Sequence, residues 1–214
     1  MADAESENNL PHPRTPPRAR NIVLVGFMAT GKTTLGRMLA RKAGFTFVDM
    51  DKKIEETSGM AIPKIFEVEG EHGFRARESA VLRELAGSDR HVIATGGGVV
   101  TRPENLPLLR DLGFVVWLHT RKKIIFDRVM RNPHRPLLRT ADPYATIKTM
   151  VEARKPLYKA VADLKVKTCD LSQSEAVGGI LDSACWFFRE HFPGEHECES
   201  GGSADSSADT GSTP

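Results

Sequence analysis

An α/β fold, in which helices cover both faces of a parallel sheet, follows from three observations. Gly26-Phe27-Met28-Ala29-Thr30-Gly31-Lys32-Thr33 fits the phosphate-binding pattern G-x-x-x-x-G-K-[ST]. The apolar run Asn21-Ile22-Val23-Leu24-Val25 before it has the composition of a buried strand, and Leu35, Met38 and Leu39 after it have helical spacing. Farther along, short β-branched runs alternate with longer amphipathic segments, the pattern that builds parallel sheets.

Each element follows in order. At the first strand–helix junction, Gly26 and Gly31 let the backbone curl so that its N–H groups face phosphate oxygens. The helix N-terminus adds positive potential. Lys32 is placed to reach the β- and γ-phosphates, and the Thr33 hydroxyl to ligate Mg²⁺. Thr46–Asp49 is the second strand and His91–Ala94 the third; 114–118 and 164–168 are the fourth and fifth. Val81, Leu82 and Leu85, and later Ile147, Met150 and Val151, keep helical spacing, and the last helix is expected over about 174–188. Pro103, Pro107, Pro133, Pro136 and Pro143 are expected to break the helices of the second half.

Composition sets the bounds. The 214 residues, 40% hydrophobic and 27% charged, suffice for one α/β domain with a substantial core. No apolar stretch has the length of a membrane span. The acidic, apolar-poor N-terminus matches neither a secretory signal nor a transit peptide. Cys169, Cys185 and Cys198 form no C-x-x-C pair, so reduced thiols in a cytoplasmic protein are expected. His191, His196 and Cys198 offer no fourth zinc ligand. Residues 1–20 and 193–214 are too polar to bury surface and are expected as disordered tails, the second one acidic. The intervening domain, 21–192, carries 27 Lys and Arg against 20 Asp and Glu, a formal +7. That charge suits small anionic ligands; no nucleic-acid recognition motif accompanies it. A monomer is expected, since no sustained heptad is present.

Further candidate residues fall at strand ends, where α/β sheets bind ligands. Asp49 and Asp51 close the second strand: one suits a water-mediated Mg²⁺ contact and the other a substrate hydroxyl, unless Asp51 only caps the helix beginning at Lys52. Gly96, Gly97 and Gly98 close the third strand and leave room for a ligand to touch the backbone. Arg75 and Glu78 share one helix face. Arg135-Pro136-Leu137-Leu138 follows a Pro-punctuated polar stretch with the composition of a mobile loop, and Arg154-Lys155-Pro156-Leu157-Tyr158 lies in a later helix. Arginines of this kind grip carboxylate or phosphate with a bidentate fork.

The chain resembles the shikimate kinase family from Asn21 to about Phe188. The resemblance rests on 26–33, Asp49-Met50-Asp51, Ile62-Pro63-Lys64-Ile65-Phe66, Gly70-Glu71, Phe74-Arg75 with Glu78, 96–98, 135–138 and 154–158. It implies a nucleoside-monophosphate-kinase-like three-layer α/β/α fold with strand order 2-3-1-4-5 and a lid over about 131–142. It implies transfer of the γ-phosphoryl of ATP to the 3-hydroxyl of shikimate, on the route to aromatic amino acids, with Mg²⁺ as cofactor. By the same resemblance ATP meets Gly26, Ala29, Thr30, Gly31, Lys32, Thr33 and Thr34, Arg128 lies against adenine, and Lys32 and the lid residue Arg135 stabilise charge. Shikimate contacts fall on Asp51, Arg75, Glu78, Gly97, Gly98 and Arg154, and metal positions on Thr33 and Asp49. Ala29 departs from the family's usual Gly and Thr33 from a common Ser, both read as small changes. A polyol or gluconate kinase and a non-catalytic relative are the competing readings. The arginine pattern with the glycine triplet disfavours the first, and retention of Lys32, Asp51 and Arg135 the second.

Overall fold

The computed structural model describes residues 17–131 and 142–193. Five strands, β1 (Ile22–Val25), β2 (Thr46–Asp49), β3 (His91–Ala94), β4 (Phe114–His119) and β5 (Leu164–Lys167), form a parallel sheet in the order β2-β3-β1-β4-β5. Among the described residues seven α-helices accompany them: α1 (Lys32–Ala43), α2 (Met50–Ser58), α3 (Ile62–Glu84), α4 (Asn105–Leu112), α5 (Lys122–Met130), α6 (Pro143–Val161) and α7 (Gln173–His191). None of the described helices is long and apolar enough to cross a membrane.

The alternation of side chains along a strand sorts the core into layers. Val23 and Val25 of β1, with Val115 and Trp117 of β4, enter a cluster completed by α2, α3, α4 and α6. Ile22 and Leu24, with Phe114, Val116 and Leu118, enter the opposite cluster, covered by α1 and α7. Both faces of the central strands are therefore buried, which is why their sequences are continuously apolar. A third cluster joins Phe27 and Met28, just past β1, to Ile125 and Val129 of α5 and Ile147 and Val151 of α6. It fixes the loop after β1 against two helices.

Several element boundaries differ from the sequence reading. Asp49, not Asp51, caps α2: its side chain accepts from the Asp51 backbone N–H, and the helix begins at Met50. Pro107 and Pro143 sit in the first turns of α4 and α6, where a missing N–H costs nothing, so they start helices rather than break them. Residues 17–20, expected as tail, pack: Pro17 and Ala19 are buried, the Arg18 N–H donates to Asp111 O (3.0 Å), and Arg20 pairs with Asp89. The remaining tail positions, apart from Pro193, lie outside the described residues, as do His196 and Cys198. So does the expected lid over 131–142, apart from its two end residues, and with it Arg135.

Candidate active site

The phosphate-binding loop is held by its own backbone. Gly26 has φ 143°, and a Cβ there would stand 2.3 Å from Leu118 O on β4, so only glycine allows this approach. Gly31, φ 102°, turns the chain into α1. Thr30 Oγ1 donates to Phe27 O (2.8 Å), and Lys32 Nζ donates to Gly26 O (2.7 Å) and Phe27 O (2.9 Å). Lys32 thus lies folded across the loop and buried, at the floor of a cavity of about 460 Å³, rather than extended from it. Ala29 adopts φ 62°, the left-handed region. Its departure from glycine is therefore not a small change, because a Cβ there costs on the order of 1 kcal/mol.

Thr33, on the first turn of α1, donates to Asp49 Oδ2 (2.9 Å) at the end of β2. The two expected metal positions thus stand in contact, one hydroxyl and one carboxylate, both on the cavity wall. Arg128 of α5 lines the same cavity and donates from Nη1 to Ala29 O (2.9 Å). Thr34 and Asp51 line it too. The cavity also takes Thr168, Leu171, Ser172, Gln173 and Ala176, between β5 and the first turn of α7, which sequence reading did not single out. The carboxyl-end rule for parallel sheets was the available signal, since these residues directly follow the last strand.

Arg75, Glu78 and Arg154 do not line this cavity. They reach it through the turn after β3. There each glycine makes room for a neighbouring group of the protein, and Gly97 also lines the cavity. A Cβ on Gly96 would meet Glu78 Oε1 at 2.1 Å and Asp51 Oδ1 at 3.2 Å; one on Gly98 would meet the Arg75 guanidinium at 2.2 Å; one on Gly97 would meet the Met28 backbone N at 2.9 Å. Gly97 O accepts from Arg154 Nη1 (3.0 Å) and from the Tyr158 hydroxyl (2.6 Å). Tyr158, which the sequence placed in the 154–158 motif without a role, stacks on Trp117. Burial raises its pKa, so it remains a donor.

The helix face carrying Arg75 and Glu78 is as expected, but its electrostatics are internal. Arg75 Nη1 donates to Glu78 Oε2 (2.6 Å), while Nε and Nη2 both donate to Glu71 Oε1 (3.3 and 3.0 Å). Glu78 is fully buried, and its Oε1 has no hydrogen-bond partner among the described residues. Burial pushes its carboxyl up, against the pull of Arg75. Burial also opposes the charge of Arg75, but Glu78 and Glu71 outweigh it and hold the guanidinium ionised. The guanidinium groups of Arg75 and Arg154 lie over Phe74 and Phe27 respectively.

A parallel sheet of this order, a phosphate loop at its central strand and a turn backed by buried arginines define a phosphate-loop kinase of small molecules. The shikimate kinase family model matches residues 28–184. Shikimate kinase of Hahella chejuensis is 48% identical over 149 residues, 70% of this chain and 78% of its own. That of Pseudomonas entomophila is 48% identical over 163 residues, 76% of this chain and 95% of its own. The solved structure of shikimate kinase from Acinetobacter baumannii in complex with shikimate superposes with a TM-score of 0.75 at 40% identity, covering 79% of this chain and 94% of that one. This chain belongs to the shikimate kinase family.

Proposed function

We propose that this chain moves the γ-phosphoryl group of ATP to the 3-hydroxyl of shikimate, yielding shikimate 3-phosphate and ADP. The observation that carries the reading is the turn at 96–98, where the Arg75–Glu78 pair, Asp51 and Arg154 from three separate segments meet beside the phosphate loop. A ring carboxylate needs guanidinium partners, and ring hydroxyls need a carboxylate and backbone groups; this turn presents both.

Phosphoryl transfer asks the protein for positioning and charge compensation more than covalent chemistry. In the proposed arrangement the loop N–H groups and Lys32 bind the phosphates, Lys32 leaving its loop carbonyls for the γ-phosphate. Asp51 accepts the hydrogen bond of the attacking hydroxyl and orients it in line. Arg135 brings a second positive charge, and Arg128 flanks the base. Thr33 and Asp49 fit Mg²⁺, which takes few protein oxygens and keeps water and phosphate as its other ligands. When bound, the ion neutralises charge on the β- and γ-phosphates. Cys169 and Cys185 are thiols and not disulfide-bonded, which suits a reducing compartment, the cytoplasm. The exposed large apolar residues, Val68, Met130, Tyr144, Leu171 and Trp186, are scattered over several elements, which supports a monomer.

The test is ADP formation with ATP and shikimate, gluconate or quinate side by side. Shikimate is expected to be preferred by orders of magnitude. Equal or greater turnover of gluconate would overturn the reading.

A further inference from the structure

Glu71 belongs to no part of the transfer chemistry, yet it holds the arginine on which that chemistry depends. It follows Gly70, where α3 leaves helical geometry (φ 68°, ψ −174°), and stands one turn before Arg75. Three of the five N–H groups of Arg75 are engaged by two glutamates. The two partners are unequal. Glu78 is fully buried, accepts at 2.6 Å and has no route to solvent. The Glu71 side chain is 54% exposed and takes both Nε and Nη2 on a single oxygen at 3.3 and 3.0 Å, a poorer match than a two-oxygen fork.

Charge points the same way. Arg75 and Arg154 face Glu71, Glu78 and Asp51, two positive groups against three negative ones. A substrate carboxylate would add a fourth negative charge. Releasing Glu71 into water returns the count to three negative groups against two positive ones, and its half-exposed carboxylate regains water as it leaves. We propose that Glu71 is an internal competitor for the substrate carboxylate: it occupies the side edge of Arg75 and is displaced when shikimate binds. The inference rests on the proposed function, in which Arg75 receives that carboxylate. It makes Glu71 a determinant of affinity whose removal tightens binding.

Calorimetric titration of shikimate into the full chain, with Glu71→Gln and Glu71→Ala beside it, tests the proposal. Both variants are expected to bind shikimate about two- to fivefold more tightly, the range of one ion pair whose carboxylate already lies half in solvent. ADP affinity is the control and should not move. In an Arg75→Ala background, Glu71→Gln should give no gain. A lost structural contact would weaken binding, so a gain separates competition from support. Unchanged or weaker shikimate binding in both variants overturns the inference while leaving the proposed transfer intact. A wild-type chain that binds ADP but not shikimate overturns the transfer reading and this inference with it.

Discussion

The nucleotide end and the acceptor end of the site are built by different physics. At the nucleotide end, one contiguous loop satisfies itself through backbone: Gly26 and Gly31 supply the turn, and Lys32 and Thr30 close it on loop carbonyls. At the acceptor end, groups from Asp51, α3, the turn at 96–98 and α6 depend on one another, with a buried ion pair at the centre. A phosphate is recognised by backbone N–H groups that a short sequence can arrange. A carboxylate needs guanidinium groups, and a buried guanidinium needs its own counterion before any substrate arrives. The first end can therefore lose function without losing structure; the second cannot.

Truncating each end separates these behaviours most sharply. Arg75→Ala strands the buried Glu78 carboxylate, and the loss expected in urea unfolding is about 3–5 kcal/mol. Replacing both members, Arg75→Met with Glu78→Gln, should recover most of that stability but not shikimate affinity. Lys32→Ala should leave the unfolding midpoint nearly unchanged while lowering turnover on the order of a hundredfold or more, since its contacts at Gly26 O and Phe27 O can pass to water. If Lys32→Ala unfolds the chain, or Arg75→Ala does not destabilise it, the contrast between the two ends is broken.

Smaller substitutions sharpen the same contrast. Tyr158→Phe removes one of two donors to Gly97 O, and about 1 kcal/mol of stability should go with it. Because Arg154 shares that carbonyl, shikimate affinity should fall while ADP affinity holds, which paired titrations would read. Ala29→Gly is the least change and has the opposite sign. Relief of φ 62° should exceed the added chain entropy of glycine, a net gain of about 0.5–1 kcal/mol by thermal unfolding. A loss of stability there would show that the loop is not under backbone strain.

The same contrast explains what the sequence revealed. β1 and β3 were legible, β3 to the residue and β1 nearly so, because buried strands are short apolar runs bounded by polar residues; the half-buried edge strand β2 was legible from its β-prone Thr46, Phe47 and Val48. The phosphate loop was legible because its function is contiguous. The acceptor residues stood out singly as candidates, but their joint role became legible only through family resemblance, since no local pattern announces that Arg75 will lie against Gly98 or Arg154 against Gly97 O. The roles of Tyr158, Glu71 and the loop from Thr168 stayed hidden for that reason: they exist only once distant or adjacent turns have packed. The anchoring of 17–20 was invisible because Arg20 finds its partner at Asp89, across the fold. The cap of α2 was ambiguous because two aspartates stand two residues apart, and only the backbone geometry at Asp49 decides between them.

Phosphorus NMR of the full chain incubated with Mg²⁺, ATP and shikimate tests the central claim most directly. Loss of the γ-phosphate resonance, appearance of ADP, and a new phosphate monoester coupled to the proton on carbon 3 of shikimate are expected. Release of inorganic phosphate without that ester, or an ATP spectrum unchanged by shikimate, would contradict it.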